Sequence, residues 1–189
     1  MILEIAIASS VAVVVGSIAA WRRGRPTKVV AARPDVPRSL RVGDAILYDG
    51  TELWLAGQVA LSDGAFSLEL FRTPGNPVCE WIAATGSSGN DILLLRPSLP
   101  LNDAGAADAI RIDDALYRRV RRGRAAVEAR GSELPPTTSS ASYACFEGPG
   151  GHRGVVVEFD PSHRLALTGL RAEPSRIDVL PGGDVPAQS

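Results

Sequence analysis

From Ser39 onward the chain alternates short apolar runs with turn pairs, and this rhythm predicts strands rather than helices. The predicted strands of the first half are Ala45 to Tyr48, Leu53 to Leu61, Ala65 to Phe71, Val78 to Ala83 and Ile92 to Leu95. Asp49-Gly50 and Asp63-Gly64 fall between them, and Asp-Gly is a strong hairpin signal because primed turns need positive φ. Pro97 and Pro100 close this half, and residues 101 to 109 read as a connector. The second half offers Ala115 to Arg121, Arg124 to Ala129, Tyr143 to Glu147, Val155 to Phe159, Leu165 to Thr168 and Ile177 to Leu180. A helix using Ala109, Ile112, Leu116 and Val120 is disfavoured because Gly123 interrupts its face and Ile110 falls outside it.

The pattern before Ser39 is different. Residues 2 to 21 form a nearly unbroken apolar stretch containing Glu4 alone among charged residues. Twenty residues at about 1.5 Å each span roughly 30 Å, the hydrocarbon thickness of a bilayer. A cleaved signal peptide would carry its positive charge before the core, whereas here Arg22, Arg23, Arg25 and Lys28 follow it. The expectation is one uncleaved transmembrane helix with the N-terminus outside and residues 22 to 189 in the cytoplasm. Ala8, Ala12, Gly16 and Ala20 place small residues on one stripe of that helix, a candidate homodimer seam. Residues 22 to 38, basic and carrying three prolines, read as a tether, and residues 182 to 189 as a flexible tail.

The fold expectation is therefore mainly β: two related antiparallel β-meander halves, about 39 to 100 and 109 to 181, packed together and preceded by one transmembrane helix. The relation between halves rests on three echoes. Leu40 to Ile46 resembles Ile110 to Leu116, Val78-Cys79-Glu80-Trp81 resembles Val156-Val157-Glu158-Phe159, and Asp91-Ile92-Leu93 resembles Ile177-Asp178-Val179.

Composition sharpens the picture. A 45% hydrophobic content supports a folded globule, and arginine supplies nearly all the positive charge, as in proteins of GC-rich bacterial genomes. Residues 22 to 41 carry a net charge of +6 and residues 42 to 189 a net charge of −6, so a basic collar is expected beside the bilayer. An acidic domain with few stacking aromatics disfavours nucleic acid as a partner. The two cysteines, Cys79 and Cys145, have no close Cys or His neighbours in sequence, so neither a metal site nor a cofactor is expected.

Four patterns bear on chemistry, two of them as candidates. Glu80 and Glu158, each beside an aromatic residue and near a Pro-Gly turn, would form a carboxylate pair for a cation or a shared proton if the halves were symmetric. Arg118, Arg119, Arg121, Arg122 and Arg124 crowd five charges into seven residues, a candidate anionic-lipid contact together with Arg22, Arg23, Arg25 and Lys28. Gly86-Ser87-Ser88-Gly89 lacks the spacing of a nucleophile elbow, and Gly148-Pro149-Gly150-Gly151 leads into valines rather than a helix, so both read as loops.

Leu40-Arg41-Val42-Gly43-Asp44 with the Tyr48-Asp49-Gly50 hairpin, Glu80-Trp81-Ile82, and Phe146 to Gly151 running into Val156-Val157-Glu158-Phe159 resemble the bacterial domain of unknown function 4178 family. The resemblance covers roughly Ser39 to Pro181 and implies a β-rich module associated with membranes, with no catalytic residues to carry over. The functional expectation is a membrane-anchored, non-catalytic interaction or scaffolding module with a membrane-side protein partner. A tethered hydrolase or small-ligand-binding domain using Glu80 and Glu158 is the alternative.

Overall fold

The computed structural model describes residues 40–64, 66–85, 91–102 and 107–182. The expected transmembrane helix with Ala8, Ala12, Gly16 and Ala20, the tether with Arg22, Arg23, Arg25 and Lys28, the Gly86 to Gly89 loop and the tail beyond Gly182 lie outside the described residues. Among the described residues no helix is long and apolar enough to cross a membrane.

Twelve strands account for most of this region. β1 (Ala45–Tyr48) and β2 (Thr51–Trp54) form a hairpin; β3 (Gly57–Ser62), β4 (Ser67–Arg72), β5 (Trp81–Thr85) and β6 (Asp91–Pro97) form a meander. A single helical turn, α1 (Leu99–Asn102), precedes β7 (Ala109–Ile112) and the 17-residue β8 (Ala115–Gly131). β9 (Ser140–Glu147), β10 (His152–Asp160), β11 (His163–Arg171) and β12 (Ile177–Leu180) complete the chain.

The larger sheet runs β3-β4-β5-β6-β11-β10-β9-β8 and returns from β8 to β3, closing an eight-stranded antiparallel barrel; β7 adds to the free end of β8. Closure removes the unpaired edges that an open sheet would present. β12, β1 and β2 form a separate three-stranded sheet.

Three apolar clusters follow from strand alternation, since successive side chains point to opposite faces. The barrel interior is filled by alternate residues such as Leu61, Leu70, Leu95, Val157 and Leu167, all fully buried. Outside it, Phe71, Ile82 and Ala84 pack beneath Ile46 and Leu53 of the small sheet. A third cluster joins Leu101 of α1, Ile112 and Tyr117 to the outward Ala144, Phe146 and Val156. The ends of the domain are clasped by Asp44, whose carboxylate accepts hydrogen bonds from the Arg41 and Gly182 backbone N–H groups, each at 2.9 Å.

Asp49 and Gly50 have φ of 48° and 80°, the two positive values of a type I′ hairpin, as expected; Asp63-Gly64 also joins two paired strands, but only Gly64 has positive φ and the connection from Ser62 to Ser67 is longer than a two-residue primed turn. Two strand expectations need correction. The run Leu53 to Leu61 is broken at Leu55-Ala56, sending β2 into the small sheet and β3 into the barrel. Ala115 to Arg121 and Arg124 to Ala129 are one strand, not two, with a bulge between Arg119 and Arg121. Before the bulge the odd-numbered Tyr117 packs outside the barrel; after it the odd-numbered Ala125 packs inside. One extra residue, Val120, thus lets a single strand serve two cores.

Candidate functional site

The structure does not bring Glu80 and Glu158 together. Glu80 precedes β5 and Glu158 lies on β10, with β6 and β11 between those strands. Each carboxylate has its own arginine: Arg72 reaches Glu80 at 3.1 Å and Arg164 reaches Glu158 at 2.8 Å. Arg72 also lies over the Trp81 ring at 5.6 Å. The expectation of a converging carboxylate pair fails because two whole strands, β6 and β11, stand between β5 and β10, and each carboxylate is held by its own arginine. Glu80→Gln and Glu158→Gln are expected to lower stability by no more than about 1 kcal/mol each, as for other exposed ion pairs. Urea unfolding of both variants checks this.

The arginine cluster is likewise divided, by the bulge. Arg119 and Arg122 line an open groove of about 520 Å³ on the outer face of β8, β9 and β10, whose floor is Ala144 and Val156 and whose far rim is Glu158. Arg119 is tied to the Asp108 carboxylate and donates to the Ala107 carbonyl at 2.9 Å. Arg124 donates to the Ser140 hydroxyl at 3.2 Å, and Arg118 is exposed opposite Glu147. Arg121 turns the other way, onto the Phe66 ring at 4.7 Å.

That second direction leads to a cavity that sequence reasoning missed. It occupies about 340 Å³ at one mouth of the barrel, over Leu68, Leu93, Val155 and Cys145, with Phe66 and Val120 at its lip. Arg121, Arg153 and Arg171 stand around it with Asp91 and Glu147. Arg171 pairs with Asp91, and Arg153 with Glu147 at 3.3 Å. Phe66 is stacked on Tyr143 with ring centroids 4.9 Å apart, and the Tyr143 hydroxyl donates to Asp63, whose other oxygen accepts from the Phe66 N–H at 3.0 Å. The available sequence signal was Val120, an apolar residue interrupting the arginines.

Burial governs the acid–base behaviour of this mouth. It pushes the Cys145 thiol from 9.0 up to about 11, with Arg121 pulling weakly against it, and it raises the Tyr143 hydroxyl, aided by Asp63. Folded Cys145 therefore keeps its proton after the unfolded chain has lost its own. Its contribution to stability is complete below pH 9 and drains away as pH rises toward about 11. Melting temperatures should fall across that window, and Cys145→Ser should flatten part of the fall.

The two histidines are occupied locally: His152 Nδ1 lies 3.2 Å from the Tyr117 hydroxyl, and His163 Nδ1 lies 2.8 Å from Asp160. Among the described residues no group of three or more His, Cys, Asp or Glu is placed to hold a metal ion. No family model matches the chain, and its comparison with curated proteins and with solved structures gave no match.

Proposed function

We propose that the chain is a bilayer-anchored, non-catalytic recognition module that holds a protein partner on the cytoplasmic side of a bacterial inner membrane. Residues 2 to 21 would span the bilayer, the basic collar would lie against anionic headgroups, and the small-residue stripe would offer a seam for a second copy. The resemblance to the domain of unknown function 4178 family supports a β-rich module at membranes. The two four-strand meanders, joined at β3–β8 and β6–β11, support a reading of the barrel as related halves. Of the three echoes, only Val78 to Trp81 and Val156 to Phe159 touch strands of equal rank, β5 and β10, the first leading into its strand and the second lying near the end of its own.

The observation that carries the proposal is the outer groove. Arg122 stands on its rim, exposed and with no carboxylate partner among the described residues, beside the apolar floor of Ala144 and Val156. An exposed strand edge is not offered there, so a partner binds this face with side chains: an acidic residue to Arg122 and an apolar one to the floor. Confinement near the bilayer raises the effective concentration of membrane-side partners without any further contact. The two strands between β5 and β10, which hold Glu80 and Glu158 apart, favour this reading over the hydrolase alternative.

Photo-crosslinking from intact membranes tests this reading. A crosslinking residue at Ser142 in the groove should trap a discrete partner, one at Ser162 in the β10–β11 turn should not, and Arg122→Glu should abolish the adduct. Equal adducts from both positions, or none from Ser142, would overturn it.

A further inference from the structure

We infer that the barrel mouth is a second, separate binding site, for a small amphipathic monoanion: a carboxylate head bearing a short alkyl chain. The juxtaposition that carries this is a recessed apolar floor of Leu68, Leu93 and Val155 beneath Arg121, which the β8 bulge turns inward. The mouth shares no lining residue with the outer groove, so the inference stands apart from the partner proposal.

Size comes first. A volume of about 340 Å³ lies at the small end of ligand pockets and suits a single short chain. Eight-stranded barrels are just wide enough to be filled by side chains or to hold one small ligand. Here the layer below is filled by Leu70 and Val157, both fully buried, so the ligand enters the upper layer alone.

Charge decides the head group. Of the three arginines at the rim, Arg153 and Arg171 are matched by Glu147 and Asp91. Arg121 has no carboxylate partner among the described residues; it rests on the Phe66 ring and is near the Tyr143 hydroxyl. Asp63 is engaged by that hydroxyl and by its own turn. Of the three rim arginines Arg121 alone has no carboxylate in contact among the described residues, Asp63 being reached only through the Tyr143 hydroxyl, and its guanidinium fork matches a carboxylate.

The bulge is the independent observation. Without Val120 as the extra residue, the alternation of β8 would aim position 121 at the outer face, where Arg119 lies. With it, Arg121 faces the mouth and Val120, 54% exposed, becomes a lip over the cavity. Bulges that re-aim a side chain concentrate at barrel rims and binding sites. The ligand chain would lie over the accessible edges of Leu93 and Val155, pass Cys145 and leave its carboxylate at Arg121.

Cys145 provides the readout. Full-length protein in nanodiscs is treated with N-ethylmaleimide at pH 8.5, and alkylation of Cys145 is followed by mass spectrometry, with the buried Cys79 as internal reference. Octanoate should slow Cys145 alkylation at least fivefold, while octanol, equal in chain and lacking the charge, should not. Arg121→Gln should raise the octanoate concentration needed about tenfold, and Arg121→Lys should restore much of the protection. Equal protection by octanol, no protection by octanoate, or unchanged octanoate affinity in Arg121→Gln would each overturn the inference. The comparison of octanoate with octanol needs only the unmodified protein, so it decides the matter even if Arg121→Gln fails to fold. Loss of the Ser142 adduct would leave this result untouched.

Discussion

Gly169→Val is expected to open the barrel at the seam between β6 and β11. A Cβ at Gly169 would overlap the Leu94 carbonyl oxygen and approach the Leu95 Cα to 3.0 Å, so backbone rather than a flexible side chain would have to move. Gly169 sits opposite Leu95, in one of the two places where the barrel strands of the first half meet those of the second. The other seam shows the same device: Gly57 and Gly131 face each other across β3 and β8, and a Cβ on either would overlap the Ser132 or Ala56 carbonyl. A loss of about 3 kcal/mol is expected for Gly169→Val, the upper end of overpacking penalties. Gly64→Ala serves as the control. Gly64 has φ of +84° but nothing within 4 Å of its Cβ position, so only the backbone cost of about 1–2 kcal/mol applies. Equal effects of the two substitutions in urea unfolding would refute the close approach at the seam.

Phe71→Ala is expected to cost about 3–5 kcal/mol, the range for a buried aromatic truncated in a core. Phe71 belongs to β4 but points out of the barrel, so its fully buried ring joins the barrel wall to the small sheet through Ile46 and Leu53. The loss should be uneven. Amide exchange should rise first in β1, β2 and β12, whose contact with the barrel depends on this cluster, and later in the barrel strands. Uniform loss of protection would mean that the small sheet and the barrel unfold as one unit.

Much of the local structure is legible in the sequence, because turns are local chemistry. Asp49-Gly50 encodes its hairpin unaided, and Ile177 to Leu180 is bounded as expected. What is not legible is set by contacts distant in sequence. Nothing near Leu55 announces that the apolar run crosses from one sheet to another, since Leu53 and Leu61 are equally buried on either side of the break. Barrel closure depends on Gly57 meeting Gly131 and on Leu95 meeting Gly169, pairings that no periodicity within a strand reveals.

The candidate sites follow the same division. Glu80 and Glu158 were singled out by an echo of residue types, yet each strand end has a local arginine that satisfies it. The arginines of β8 were grouped because they are neighbours in sequence. A strand with one bulge separates them, giving Arg122 to an outer groove and Arg121 to the mouth. The mouth itself draws on residues from several strands, and although Arg121 and Cys145 each stood out in the sequence, nothing there joined them to Phe66, Leu93 or Val155.

The pairing of β1 with β12 has a mechanical consequence. Ala45 lies opposite Leu180, so the chain enters and leaves this antiparallel pair at the same end, where Asp44 fastens both passages. A pull applied between Leu40 and Gly182 therefore acts across the strands rather than along them. The hydrogen bonds of the pair would break one after another, beginning with those to Asp44, instead of sharing the load. The small sheet would therefore peel away at low force while the closed barrel held.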